Sequence, residues 1–196
     1  MEEAAQKSCP SPRKSNSYNF LRIMIEDIDL AKSESSLQKD LPRKFLVDGM
    51  LGSIATKLRI LGFDSTYDKE SQDHELISEA ALEGRVLVTS DQVLWLRAKQ
   101  RHIRAILIKA ATERERLIEL CQKAGIDHLD LSVVSRCSAC NSMLEEIGQK
   151  DDLGRTIFKC TNCSKLFWRG SHWRKLDSLF SSINRSLNSE ESLSSK

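Results

Sequence analysis

The chain has 196 residues, 40% of them hydrophobic, with 30 basic against 28 acidic side chains and a net charge of +2. That length suits one medium domain with additions, or two small ones. No apolar run approaches the ~18–20 residues of a membrane span, and the near-balance of charge confines any nucleic-acid footprint to a local patch.

Met1-Glu-Glu-Ala-Ala lacks a basic start and an apolar segment, so secretion is not expected and an intracellular setting, cytoplasmic or nuclear, is. Residues 1–17 are polar, with prolines and serines, and read as disordered. An apolar cluster over residues 20–30 suits a short helix or strand, and residues 33–40 read as a linker, so 1–43 is taken as a linker segment.

From Lys44 the pattern sharpens. Phe45-Leu-Val47 is an apolar run ended by Asp48-Gly49, which predicts a short buried strand giving way to a turn. Leu51, Ile54, Ala55, Leu58 and Leu61 then recur at helical spacing as far as Gly62, with Lys57 and Arg59 off the stripe. Residues 63–67 read as a second strand. Asp73-His-Glu75 opens a helix with negative charge, which the helix dipole favours, and Gly84 ends it. Residues 85–89 form a third strand, 92–101 a helix, 103–108 a fourth strand and 113–124 a last helix closed by Gly125. This alternation predicts an α/β domain over 44–134, with a mainly parallel sheet, helices on its faces and right-handed crossovers. Cys121 lies within the last helix and reads as a small buried hydrophobe.

Asp48 ends the first strand and Asp91 follows the third by one residue. A parallel sheet puts both at its C-terminal edge, where open α/β sheets bind ligands. Asp73 and Glu75 begin the helix leading into the third strand, which reads as placing them near the opposite end of that strand, and the sequence alone does not bring them beside Asp48. Two readings stand at this point. Converging carboxylates need a cation to neutralise them, and oxygen ligands select Mg²⁺ or Mn²⁺, an ion that activates water against a phosphodiester. Alternatively, Asp73 and Glu75 favour a helix N-terminus and Asp91 caps the helix after it.

Cys137-x-x-Cys140 and Cys160-x-x-Cys163, separated by 19 residues, have the spacing of a tetrahedral structural zinc site. Four thiolates leave no open position, so the role is structural. Lys165, Arg169, His172, Arg174 and Lys175 interleave with Phe167, Trp168 and Trp173. Such a surface stacks unpaired bases and neutralises phosphates, with Trp168 expected to fill the small zinc core. From Ser178 serine dominates, and 177–196 reads as a disordered tail.

Taken together, Phe45-Leu-Val-Asp48-Gly-Met-Leu-Gly52, Leu58-Arg59-Ile-Leu-Gly62-Phe-Asp64, Asp73-x-Glu75-Leu76, Gly84-Arg85-Val-Leu-Val-Thr89-Ser-Asp91 and the two cysteine knuckles with Phe167-Trp168-x-Gly170-Ser171-His172 resemble the Mut-seven C-terminal RNase domain family. The resemblance implies a PIN-like three-layer α/β sandwich followed by a zinc ribbon over 135–176. It implies a metal-dependent ribonuclease acting on RNA, single-stranded by expectation, with no membrane association. Carried over, Asp48, Asp73 and Asp91 hold Mg²⁺ or Mn²⁺, with Glu75 contributing, and Arg59 and Arg85 contact phosphate, Arg85 suiting equally a solvated strand start. The chain departs from the family pattern at Ser90, where an arginine is usual, and in its nearest acid after the fourth strand, Glu113. A catalytically weak or inactive RNA-binding or adaptor module is the alternative that these departures raise.

Overall fold

Successive side chains of a strand point to opposite faces. Along β1 (Lys44–Asp48) Phe45 and Val47 enter one apolar cluster and Leu46 the other, all three buried. A strand buried on both faces is the central-strand signature of a helix-covered parallel sheet. The computed structural model describes residues 44–131 and 135–191, and the linker reading of 1–43 lies outside them. The described residues belong to one compact unit.

After β1 come a 3-10 turn (Gly49–Leu51), α1 (Gly52–Ile60), β2 (Asp64–Asp68), α2 (Asp73–Glu83), β3 (Val86–Thr89), α3 (Gln92–Gln100), β4 (Ala105–Leu107) and α4 (Glu113–Ala124). The four strands form a parallel sheet in the order β2-β1-β3-β4. α1 and α4 cover one face through Ile54, Leu58, Leu117 and Leu120. α2 and α3 cover the other through Leu76, Ile77, Leu94 and Ala98. This is the three-layer α/β/α arrangement expected from the alternation. Glycines at left-handed φ close α2 (Gly84, +62°) and α4 (Gly125, +63°).

The chain runs from β1 outward to β2, then crosses back over the other face to β3. The direction of winding therefore reverses between β1 and β3, which makes their C-terminal ends the topological switch point of the sheet.

A second, antiparallel sheet follows, of β5 (Leu144–Lys150), β6 (Thr156–Cys160) and β7 (Leu166–Trp168). As far as Glu191, the last described residue, the serine-rich tail corrects the expectation of disorder. Residues Ser171–Glu191 form a single helix, α5. Leu176, Leu179, Phe180, Ile183 and Leu187 recur at helical spacing and join the α1/α4 side of the core, with Phe180, Ile183 and Leu187 buried. Each such side chain contributes about 1.5–3 kcal/mol on burial. Asn184 fixes the approach, accepting from Leu129 N at 2.9 Å and donating to Leu129 O at 3.0 Å. Arg114 of α4 donates to Ser182 O and Ser186 Oγ at 3.1 and 2.7 Å. The serines occupy the polar side, so composition concealed an amphipathic helix.

Candidate active site and metal centre

Asp48 ends β1 in extended conformation, and its side chain lies on the α2/α3 face of the sheet. Its Oδ2 accepts a hydrogen bond from Thr89 Oγ1 at 2.7 Å. The same Thr89 hydroxyl oxygen accepts from Asp91 N at 2.9 Å. Thr89 is wholly buried. Asp48 and Asp91 thus flank the switch point, with one threonine hydroxyl holding both segments in place. Asp91 also caps α3, its Oδ1 accepting from Val93 N at 2.6 Å and Leu94 N at 3.2 Å, so the capping reading holds for this residue at the same time.

Asp73 and Glu75 stand at the start of α2, which follows the C-terminal end of β2 beside Asp48, and this corrects the expectation that they lie near the opposite end of β3. Asp73 Oδ2 accepts from Arg97 Nη1 at 2.7 Å, an ion pair with both partners substantially exposed. Glu75 forms a capping box with Gln72, its Oε2 accepting from Gln72 N at 3.1 Å. Among the described residues, the four ribbon cysteines are the one group bringing three or more candidate ligand atoms within 4.8 Å of one another. Asp48, Asp73, Glu75 and Asp91 therefore form no such closed group. Glu113, the nearest acid after β4, is paired with Lys57 at 2.6 Å, a bond that holds its carboxyl below the ordinary value.

Two glycines let β1 turn into α1 at this edge. A Cβ on Gly52 would meet Tyr67 Oη and Cζ at 2.7 Å, and Tyr67 Oη donates to Gly49 O at 3.1 Å. A Cβ on Gly49 would stand 3.1 Å from Lys69 O. Gly52→Ala should displace the Tyr67 ring and loosen its hold on the Asp48-Gly49 turn. The expected cost is about 2 kcal/mol of overpacking, roughly 4–8 °C in Tm for a chain of this size. An unchanged melting curve would refute this account of the glycine.

Arg59 and Arg85 correct the expectation of phosphate contacts, because both are buried and turned inward. Arg59 donates through Nε to Ser65 O at 2.7 Å and through Nη1 to Ser138 O at 2.9 Å. Arg85 pairs with Asp64 at 2.7 Å and Glu83 at 2.6 Å. Asn141, just past the first knuckle, donates through Nδ2 to Asp64 at 2.8 Å and accepts from Ser65 N at 3.0 Å. Its φ of +69° is a backbone state that asparagine tolerates better than most residues. These bonds fasten the first knuckle to α1 and β2. They also set the state of Asp64. Burial pushes its carboxyl upward, but the hydrogen bonds from Arg85 and Asn141 outweigh burial and hold it below the ordinary value. A depressed carboxylate stabilises the fold fully above the unfolded value near 3.9, and that contribution is lost as pH falls through the lower folded value. Asp64→Asn should remove this acid-dependent component and cost about 2 kcal/mol at neutral pH. Urea unfolding from pH 7 downward measures both, and parallel wild-type and variant curves would refute the assignment.

The four knuckle sulfurs are mutually close, with Cys137 and Cys163 Sγ at 3.6 Å and Cys140 and Cys160 Sγ at 3.4 Å. A tetrahedron with Zn–S bonds of ~2.3 Å sets sulfurs about 3.8 Å apart, so the four cysteines could hold a zinc ion. These distances are far beyond a disulfide bond, and the cysteines are free thiols. Cys121 is elsewhere, on the buried side of α4, and burial pushes its thiol up to about 12, as suits a core residue rather than a nucleophile.

The model of the Mut7-C RNAse domain family matches residues 43–180. The chain belongs to that family. It is also 30% identical over 152 residues to the human exonuclease mut-7 homolog, an alignment covering 74% of this chain and 16% of that protein. No solved structure matches the chain. Family membership supports a nuclease-type function.

Within the Mut7-C domain, the match extends through the ribbon into α5. Lys165, Arg169, His172, Arg174 and Lys175 are all exposed there. Arg169 stacks over Trp173 at 4.7 Å and donates to Leu131 O at 3.2 Å. Trp168 corrects the expectation of a core residue. It is 51% exposed, with the Arg155 guanidinium 5.8 Å above its ring. Two residues of the edge escaped the sequence reading. Thr89 is the first, and its signal is positional: in register it follows Val88 opposite Val47 and so faces Asp48. Asp68 is the second. It ends β2 as the register partner of Asp48, and its carboxylate accepts from Glu70 N and Ser71 Oγ at 2.9 and 2.8 Å. Among the described residues no helix is long and apolar enough to cross a membrane.

Proposed function

We propose that this chain is a metal-dependent ribonuclease that hydrolyses RNA phosphodiesters at the C-terminal edge of its parallel sheet. The observation that carries the reading is the Asp48–Thr89–Asp91 arrangement at the switch point. Oxygen donors on rigid strand ends suit Mg²⁺ or Mn²⁺. An uncaged edge is also compatible with magnesium, which is commonly held by one or two carboxylates together with waters and substrate phosphates. When bound, such an ion activates a water and stabilises the leaving oxygen. Asp48 and Asp91 are the principal ligands in this reading, with Asp73 and Glu75 completing the acidic rim from α2. Thr89 orients Asp48 and keeps the β3 end in register with it. The ribbon holds zinc as a structural ion in an intracellular setting where its thiols stay reduced. Its exposed Lys165, Arg169, His172, Arg174 and Lys175 assist in binding single-stranded RNA.

A second reading is an RNA-binding or adaptor module that cuts weakly or not at all. The Arg97–Asp73 ion pair favours it, since an internal cation already neutralises one of the acids. Cleavage of single-stranded RNA with added Mn²⁺, compared between wild type and Asp48→Asn, separates the two. Wild-type cleavage lost in the variant supports the nuclease. Binding without cleavage in both supports the adaptor.

A further inference from the structure

Between Asp91 and Glu113 the chain carries no acidic residue but five cations, Arg97, Lys99, Arg101, Arg104 and Lys109. Those five more than account for the net charge of +2 of the whole chain. All five side chains are exposed. Four of the five lie together on α3 and the turn after it, and Lys109 follows the edge strand β4. Complementing the α3 dipole explains a cation or two in its last turn, but not the exclusion of acids through the turn and the strand beyond it.

The geometry connects this surface to the candidate active site. α3 begins one residue after Asp91, and its nine residues span about 13 Å toward the opposite edge of the sheet. Arg97, beside Asp73, and Arg101 are one turn apart on the same side of the helix. Arg104 follows across the turn and lines, with Lys99, a shallow cavity of about 170 Å³, whose third cation, Lys123, is paired with Glu119. We infer that this face is a phosphate track for single-stranded RNA, holding the strand beyond the bond presented to the acidic edge. The inference rests on the nuclease reading for the direction of the strand, but its binding step requires no divalent ion. A flexible single strand can follow a helix and a turn from one sheet edge to the other, with backbone charge rather than base identity supplying the affinity.

The test uses the full chain and a fluorescent decanucleotide of RNA, titrated without added Mg²⁺ or Mn²⁺ at several salt concentrations. Arg101→Gln/Arg104→Gln removes two exposed cations outside the catalytic edge, and Arg185→Gln on α5 is the control for loss of surface charge. The double variant should bind about tenfold more weakly, with the slope of log K against log salt shallower by about 1.4, ~0.7 for each lost phosphate contact. The control should bind as wild type. Unchanged affinity and slope in the double variant, an equal loss in the control, or tighter binding of a duplex than of the single strand would overturn the track. With Mn²⁺ present, the double variant should cleave the decanucleotide more slowly at low substrate while cleaving a dinucleotide normally. Failure of the wild type to cleave either substrate would remove the nuclease reading, while a metal-free binding loss confined to the double variant would leave the track standing.

Discussion

Asp48→Asn should lower Mn²⁺-stimulated RNA cleavage by about a thousandfold, the equivalent of ~4 kcal/mol of transition-state stabilisation, while leaving the fold intact. The substitution keeps the size of the side chain and an oxygen able to accept from Thr89, so the 2.7 Å bond that holds the strand ends can persist. What it removes is the negative charge. Thr89→Val provides the complementary change. Thr89 is wholly buried, and its hydroxyl serves both Asp48 and Asp91 N. Its removal leaves the charges in place but releases their orientation. The expected result is a loss of 10–100-fold, of the order seen when a partner of a metal ligand is removed, and one that rising Mn²⁺ partly restores. Metal titration of both variants therefore separates a ligand from a positioning residue. Equal cleavage by wild type and Asp48→Asn would end the nuclease reading of this edge.

The acidic edge was legible because its signals are local. Phe45-Leu-Val47 ended by Asp48 marks a strand end, and the alternation with helices puts Asp91 at the same edge. Helix limits followed from Gly84 and Gly125, which adopt the left-handed φ that ends a helix. The two arginines were misread because their partners are distant in sequence or hidden by burial: Arg59 reaches Ser138, and Arg85 reaches Asp64. No local pattern distinguishes such an arginine from one facing solvent. α5 was missed for a different reason. Its apolar spacing is present in the sequence, but the serines between those residues give the stretch the composition of a disordered tail. For Trp168 the ribbon proved too thin to cover its own aromatics, which leaves β7 with Leu166 and Trp168 half exposed.

If the four cysteines hold zinc as proposed, stripping it should weaken the α/β half of the molecule as well as the ribbon. A structural zinc site ties its own knuckles together, so chelation should first of all unfold residues 137–175. The contacts across the first knuckle extend that expectation. Arg59, buried in α1, has its guanidinium satisfied by carbonyls of Ser138 and Ala139 at 2.9 and 3.3 Å. Asp64 and Ser65 N in β2 depend on Asn141. Arg136 N donates to Arg59 O at 2.8 Å, and Ser135 Oγ to Ile60 O at 2.7 Å. When the thiolates lose their common ion, the knuckle has little apolar core to hold its shape, and each buried group left without a partner costs about 1–3 kcal/mol. Two such losses amount to about 4 kcal/mol, a fall of roughly 8–16 °C in Tm. Hydrogen exchange distinguishes a clamp from an independent module: after chelation, amides of α1 and β2 should lose protection together with those of β5 and β6. Asn141→Gly isolates the clamp with zinc present, since glycine keeps the +69° backbone but cannot bond Asp64 or Ser65. That variant should reproduce part of the loss of protection in β2 while β5 and β6 stay protected. Full protection of α1 and β2 in the chelated protein would show instead that the ribbon folds and unfolds alone.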